Sequence, residues 1–271
     1  QNIVSVLNKN IKDENIINKF IYINYLKIYN LLNFNIHFGD FYFNDNLTFY
    51  KFANVITNPS NIVKKITIVE GWSKLQLNNY LINYFQNFET LNYDEIIADT
   101  FFINSYKNFD TFKKKLLSFK DNYFDKKLNN ILLKRFSIKE IFILGSLIEK
   151  EGIDYNDKRK IYSVLINRLN KNMKLQIDAT VLFALTEGKY NLDRDLKYSD
   201  LKINHPYNTY YIYGLPPEPI SYVGLKTIEL IFENYKTNYL FYFYNKFEDK
   251  HIFSESYFEH KKKLNEYRAK K

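Results

Sequence analysis

The chain has 271 residues, a formal net charge of +9 and an isoelectric point near 9.2. A hydrophobic fraction of 46% supports a substantial core and excludes the low-hydrophobicity, high-charge pattern of a disordered protein. The absence of cysteine excludes disulfides, thiolate catalysis and cysteine-based zinc sites.

The basic charge permits an anionic partner, but the lysines are dispersed along the chain. The one dense basic patch is C-terminal and comprises Lys261, Lys262, Lys263, Arg268, Lys270 and Lys271. Such a patch is more typical of a solvated helix face than of a nucleic-acid site. No apolar stretch is long enough to span a membrane, and the sequence begins with Gln1 rather than Met.

The first part of the chain predicts a small compact unit that ends near residue 60. Residues 1–34 are broadly periodic and predict helix, and residues 38–43 alternate and predict a short strand. Residues 47–56 predict a second helix, which the loop Asn58-Pro59-Ser60 closes.

Strands and helices alternate irregularly after residue 60. The β-branched run 62–69 predicts a strand, Ser73 is a suitable N-cap for a helix over 74–85, and a long helix is expected from about Asp110 to Phe136. Further helices are expected over 157–169, 225–235 and 256–271, and a hairpin joins strands at 239–244 and 252–253. Residues 170–223 have few periodic signals, which is typical of a binding region. The fold class predicted is α+β.

The stretch SIKEIFILGSLIEKEG, residues 137–152, predicts a well-capped helix. Ser137 and Glu140 have the spacing of a capping box, and Gly152 is expected to end the helix in the left-handed conformation.

One carboxylate of this helix lies at the end of its apolar stripe. Leu147 and Ile148 belong to the stripe, Glu151 follows them at helical spacing, and Glu149 points the other way. A carboxylate on an apolar face is costly unless it is neutral, paired or used in chemistry. On this helix alone, a solvated or paired carboxylate is the simpler interpretation.

Carboxylate chemistry is what the remaining motifs favour. No Gly-rich phosphate loop or nucleophile elbow occurs, and the four histidines lack metal-ligand spacing, so neither a cofactor nor a metal is expected. Asp178 lies in MKLQIDATV, and HPYNTYYIYGLPPEPI supplies amide, hydroxyl and aromatic groups that suit a sugar. A carboxylic acid with a raised pKa suits protonation of a glycosidic oxygen.

Several motifs, in order and spacing, resemble the endolytic murein transglycosylases, the MltG or YceG-like family. They are ITIVEGWS, LIEKEG, IYSVLINRL, MKLQIDATV, YNTYYIYGLPPEPI and VGLKTIEL. The resemblance covers nearly the whole chain. The sequence departs from the family pattern at Ala179, where D-P-T-V is common, and at Glu218, where G-L-P-P-G-P-I is common. These departures bear on substrate fit rather than on the chemistry.

The resemblance implies that Glu151 is the catalytic acid and base. Asp178 is the only nearby candidate for a second carboxylate, and we assign it to hydrogen bonding or turn structure. It also implies a cleft around this residue, formed by Asn167, Arg168, Gln176, Asp178, Thr180, Asn208, Thr209 and Tyr210.

The resemblance further implies a LysM-like subdomain over residues 1–60 and a larger mixed α+β catalytic domain over residues 61–271. The implied activity is cleavage of the bond between N-acetylmuramic acid and N-acetylglucosamine in peptidoglycan strands, with 1,6-anhydro ends and release of nascent strands. Family members are bacterial, and an N-terminal helix absent from this sequence usually anchors them in the inner membrane. The catalytic part then lies in the periplasm or outside the cell, where peptidoglycan synthases are possible partners.

Three alternatives remain open at the level of the sequence. The enzyme could be a muramidase-type hydrolase, which uses water instead of the sugar hydroxyl. The chain could be a non-catalytic glycan-binding scaffold for cell-wall synthesis, in which Glu151 is structural. A basic nucleic-acid binder is the weakest of the three.

Overall fold

The computed structural model describes residues 20–21, 23–24, 27–28, 37, 39–42, 49–60, 62–104 and 107–270. These residues form two compact units. The first contains the described residues up to Ile66 together with Phe101–Lys107, and the second contains Thr67–Thr100 and the chain from Asn108 onward.

The first unit contains helix α1 (Phe49–Ile56) and most of the two-stranded sheet formed by β1 (Val63–Thr67) and β2 (Thr100–Asn104). The described residues between Phe20 and Ile28 are helical, and the rest of the helical prediction over 1–34 lies outside the described residues. Residues 39–42 are not in a strand, so the described part of 38–43 differs from its prediction. Most of the predicted LysM-like subdomain also lies outside the described residues.

The second unit combines helices with one hairpin, which agrees with the predicted α+β class. Its elements are α2 (Lys74–Leu81), α3 (Phe109–Asp125), a 3-10 turn (Ile131–Lys134), α4 (Ile138–Glu151), α5 (Tyr155–Asn170), α6 (Asp178–Thr186), a 3-10 turn (Asp200–Lys202), α7 (Leu225–Glu233), β3 (Phe241–Asn245), β4 (Lys250–Ser254) and α8 (Tyr257–Ala269). Strands β3 and β4 are antiparallel, with Tyr242 opposite Phe253 and Tyr244 opposite His251.

Helix α4 is the centre of this unit. All eight residues from 141 to 148 are buried, so the helix is covered on every side rather than along one stripe. At Gly145 the chain segment 220–224 comes so close that a Cβ atom would lie 2.5 Å from Val223 Cγ1. The Ser146 hydroxyl accepts a 3.1 Å hydrogen bond from the Ile220 backbone N–H. Both contacts fix α4 in the core.

The ends of α4 agree with the prediction at one terminus and differ at the other. The capping box of Ser137 and Glu140 is confirmed. Gly152 ends the helix with extended backbone, φ −83° and ψ 141°, so the expected left-handed cap is wrong. Glycine serves a different purpose here: the aliphatic stem of Lys158 crosses the position that a Cβ atom would occupy.

Two further predictions of secondary structure are corrected. The long helix predicted to Phe136 ends at Asp125, and the Asn130 side chain then caps a short 3-10 turn by accepting a 2.9 Å bond from Leu132 N–H. The region 170–223 contains helix α6, which sequence periodicity did not reveal because its apolar side chains are distributed around the whole circumference.

Candidate active site

Glu151 is the last residue of α4, and its carboxylate contacts the C-terminal hairpin. The Tyr242 hydroxyl, from strand β3, donates a 3.0 Å hydrogen bond to Glu151 Oε2. Both side chains are only partly exposed. The carboxylate therefore lies between the end of the central helix and the hairpin.

A second carboxylate faces Glu151 from the N-terminus of α6. The Tyr210 hydroxyl donates a 2.5 Å hydrogen bond to Asp178 Oδ1, which joins the loop around residue 210 to this helix. The negative charge of Asp178 acts on Glu151 and raises its pKa, whereas the nearby backbone N–H of Ala179 lowers it. Helix α4, helix α6, the hairpin and the 210 loop thus converge on one acidic cluster.

Burial is the largest cause that raises the pKa of Glu151 above its ordinary value, and the charge of Asp178 adds to it. The hydrogen bond from Tyr242 and the proximity of His251 and of the Ala179 backbone N–H lower this pKa but do not cancel the rise. A carboxylic acid that keeps its proton towards neutral pH can serve as a general acid.

The two tyrosines of the cluster remain protonated donors. Burial, followed by the nearby Glu151 charge, raises the pKa of Tyr242 well above its ordinary value. Burial, followed by the hydrogen bond to Asp178, raises the pKa of Tyr210. Neither phenol can act as a base at neutral pH.

Three of the predicted site residues form a buried layer beneath the cluster. Asn208, Thr209 and Thr180 are each fully buried. Thr209 Oγ1 accepts a 2.9 Å bond from the backbone N–H of Ile177 and lies 2.9 Å from Thr180 Oγ1. Asn208 Oδ1 accepts a 2.9 Å bond from the backbone N–H of Tyr210. These side chains hold the 210 loop against the start of α6.

Gln176 is exposed and lies two residues before Asp178. It has a positive φ of 53°, which is uncommon for a residue with a side chain. Its backbone N–H donates a 3.1 Å bond to the carbonyl of Thr209, and its side chain is exposed. Its amide is therefore accessible to a ligand.

Asn167 and Arg168, also predicted for the cleft, bond instead to the chain that leads into the hairpin. The Asn167 amide donates to the carbonyls of Thr237 at 2.8 Å and Tyr239 at 2.9 Å. The buried Arg168 guanidinium donates 2.7 Å bonds to the carbonyls of Leu240 and Leu175. The structure thus brings Glu151, Asp178 and Tyr210 together, and gives Asn167 and Arg168 supporting contacts.

Two residues of the cluster were not predicted from the sequence. Tyr242 is one of 25 tyrosines, and no local pattern separates it from the others. His251 packs edge-on against the Tyr242 ring with centroids 5.4 Å apart, and its Nδ1 lies 2.8 Å from Asp157 Oδ2. The predicted hairpin was the only signal that could have located them.

Glu149 has a different environment, although it too is buried. Its side chain is 2% exposed, forms an ion pair with Lys158 and accepts a 3.1 Å bond from the Gly224 backbone N–H. With these two residues it lines a cavity of about 510 Å³, whose lining does not include Glu151.

Among the described residues, no group of three or more histidine, aspartate and glutamate side chains is placed to hold a metal ion. The helices in the described ranges include none that combines the length and the apolar character needed to cross a lipid bilayer.

Known proteins similar to this chain include endolytic murein transglycosylases. That of Bacillus subtilis strain 168 is 37% identical over 158 residues, which is 58% of this chain and 42% of the relative. That of Streptococcus pneumoniae strain D39 is 28% identical over 171 residues, which is 62% of this chain and 31% of the relative. The matched regions thus span less than half of these relatives.

A crystal structure of a yceG-like protein from Listeria monocytogenes has the same fold. It matches with a TM-score of 0.62 and covers 90% of each chain at 24% identity. The model of the YceG-like family matches residues 2–266, nearly the entire sequence. The chain belongs to the YceG-like family.

Proposed function

We propose that this chain is the catalytic part of an endolytic lytic transglycosylase. It cleaves the bond between N-acetylmuramic acid and N-acetylglucosamine in peptidoglycan strands and thereby releases or terminates nascent strands. The observation that carries the proposal is Glu151, whose burial raises its pKa beside the Asp178–Tyr210 pair. The names of the relatives support the reaction class.

In the first step, the Glu151 carboxyl gives its proton to the glycosidic oxygen. The bond from this oxygen to C1 of N-acetylmuramic acid breaks, the N-acetylglucosamine side leaves as an alcohol, and positive charge develops at C1. We assign to the charge of Asp178, which acts on Glu151, the stabilisation of this developing cation.

In the second step, the Glu151 carboxylate removes the proton from the C6 hydroxyl of the same sugar. The C6 oxygen bonds to C1 and closes a 1,6-anhydro ring, which returns Glu151 to its protonated form. No water is consumed. An intramolecular nucleophile benefits from proximity, so one carboxyl group suffices for both steps.

The other predicted residues divide into ligand contacts and supports. We assign Gln176 and Tyr210 to the binding of acetamido or hydroxyl groups of the glycan. The buried Thr180, Asn208 and Thr209 support the 210 loop. Asn167 and Arg168 support the hairpin that carries Tyr242.

For the whole protein, we propose a LysM-like glycan-binding subdomain over residues 1–60 and a location at the bacterial inner membrane. The catalytic part would lie on the outer side of that membrane, where peptidoglycan synthases are suitable partners. Fractionation of cells that carry the full-length protein is expected to recover it with the membrane, and recovery in the soluble fraction would contradict this location.

The test of the proposed activity is cleavage of purified peptidoglycan by the wild type and by Glu151→Gln. We expect the substitution to reduce the rate by about 10³-fold or more, because it removes the group that acts as both acid and base. Mass spectrometry of the products identifies the reaction, since an anhydro end is one water lighter than a reducing end.

Each alternative has its own outcome in this experiment. Reducing ends in place of anhydro ends would identify a muramidase-type hydrolase. No cleavage by the wild type, with equal co-sedimentation of both proteins with peptidoglycan, would identify a glycan-binding scaffold. Full cleavage by Glu151→Gln would refute the assignment of Glu151.

A further inference from the structure

We infer that Tyr242 is a positioning residue for Glu151: its hydroxyl occupies Oε2 and leaves Oε1 to deliver the proton. This inference rests on the proposed role of Glu151 as the acid. In a neutral carboxyl group, the carbonyl-type oxygen is the better hydrogen-bond acceptor. The Tyr242 phenol donates a 3.0 Å hydrogen bond to Oε2 and therefore favours the form of the Glu151 carboxyl group that has its proton on Oε1.

The Tyr242 ring is held in place by its own hairpin. It packs edge-on against His251, with centroids 5.4 Å apart and an interplanar angle of 83°, and lies 5.9 Å from the Phe253 ring. Two residues earlier, the Leu240 carbonyl accepts a 2.7 Å bond from Arg168 Nε, which ties the start of the strand to α5. The hydroxyl is thus aimed before substrate binds.

Tyr242 can act on Glu151 only as a donor. Burial and the Glu151 charge keep the pKa of the phenol well above its ordinary value, so the hydroxyl retains its proton at neutral pH. A persistent donor stabilises the ionised carboxylate and opposes the effect of burial. It therefore tunes the acid as well as orienting it.

Charged and titratable groups from each neighbouring element accompany this pair, and each would remain in a variant at position 242. Asp178 of α6 raises the pKa of Glu151, and His251 of β4 lowers it. Arg168 of α5 and Tyr210 of the loop act on Tyr242. A change measured after removal of the Tyr242 hydroxyl can therefore be assigned to that hydroxyl.

The sign of the expected change follows from the donor role. Tyr242→Phe removes a group that favours the ionised carboxylate, so the pKa of Glu151 rises further. Because the protonated acid is the active form, the high-pH limb of the kcat profile moves upward, by about one pH unit. Loss of orientation lowers kcat about tenfold with little change in KM.

Tyr244→Phe is the matched control, since Tyr244 is on the same strand and its hydroxyl donates to Asp249 instead. We expect wild-type kcat and pH dependence for this variant. Circular dichroism confirms folding of both variants. Replacement of Tyr242 by 3-fluorotyrosine preserves the shape of the side chain and strengthens the donor, so it is expected to move the same limb to lower pH.

Two results would overturn the inference. One is an unshifted high-pH limb of the kcat profile in Tyr242→Phe. This would hold whether the variant is as active as the wild type or equally weakened at every pH, and it would indicate a structural role for Tyr242. The other is a 3-fluorotyrosine enzyme with an unshifted limb. The proposed function fails separately, if Glu151→Gln cleaves peptidoglycan at the wild-type rate.

Discussion

Glu149 and Glu151 lie two residues apart on the same helix, yet their partners suit opposite chemistries. Glu149 forms an ion pair with Lys158 and accepts a hydrogen bond from a backbone N–H. Glu151 meets a neutral phenol and faces the negative Asp178. Burial alone does not distinguish the two residues, whereas the charge of the neighbours does.

The charge of Asp178 provides a prediction whose sign is opposite to that of Tyr242. Asp178→Asn removes a negative charge that raises the pKa of Glu151, so this pKa falls. The high-pH limb of the cleavage profile is expected to move down, by about half a pH unit to one unit. The asparagine carbonyl can still accept the Tyr210 hydroxyl, which keeps the loop in place.

A kcat profile measured over pH for Asp178→Asn checks this expectation. An upward shift would mean that Asp178 does not raise the pKa of Glu151 by its charge. The control is Asp249→Asn, which alters a carboxylate at the Tyr244 end of the hairpin and should leave the limb unchanged.

At the scale of elements, the C-terminal end of helix α5 supports the site through hydrogen bonds to the segments that carry Tyr242 and Asp178. The Arg168 guanidinium donates hydrogen bonds to two backbone carbonyls, that of Leu240 immediately before strand β3 and that of Leu175 shortly before helix α6. Asn167 adds two bonds to the same approach to the hairpin. The two elements that supply Tyr242 and Asp178 are therefore joined through one buried side chain.

Arg168→Met tests this link. The substitution leaves buried carbonyls without their charged donor, and we expect a loss of about 3 kcal/mol in the free energy of unfolding. Urea unfolding followed by circular dichroism measures it. Arg135→Met is the control, because Arg135 is exposed and bonds to the exposed Asn170, so its loss is expected within about 0.5 kcal/mol. Equal losses of unfolding free energy in the two variants would contradict the role of Arg168 in joining the hairpin to α6.

Local sequence patterns predicted some of these elements and not others. The caps at Ser73 and Ser137 and the C-terminal hairpin were predictable, because a cap or an alternation involves residues close in sequence. Helix α6 was not, because its start has no side-chain cap and its first turn is held by Thr209, which is remote in sequence. The helix that carries Asp178 thus depends on tertiary contacts.

At the scale of the whole molecule, the elevated pKa of Glu151 implies a cost in stability. Its folded-state pKa lies above the ordinary value of 4.5 expected of the unfolded chain. The stabilising contribution of the protonated group is complete below the unfolded pKa and is lost as pH rises through the folded one. The folded enzyme is therefore less stable at neutral and alkaline pH than it would be without this carboxyl group.

Glu151→Gln is expected to relieve this cost. The variant should be more stable than the wild type at alkaline pH, by about 1.4 kcal/mol for each unit by which the pKa is raised. The difference should vanish near pH 4. Thermal unfolding of both proteins between pH 4 and pH 9 measures it, and a constant difference across that range would show that Glu151 has an ordinary pKa.

The sequence by itself determined the α+β class, the capped helix that ends in Glu151, the hairpin and the family resemblance, because these depend on short-range spacing and on motifs. Only the tertiary structure decided what surrounds Glu151. Tyr242 lies 91 positions after Glu151 in the sequence, and Tyr210, which bonds to Asp178, lies 32 positions after Asp178. The pKa of the carboxyl group depends on these distant groups and on burial, which exist only once the chain has folded.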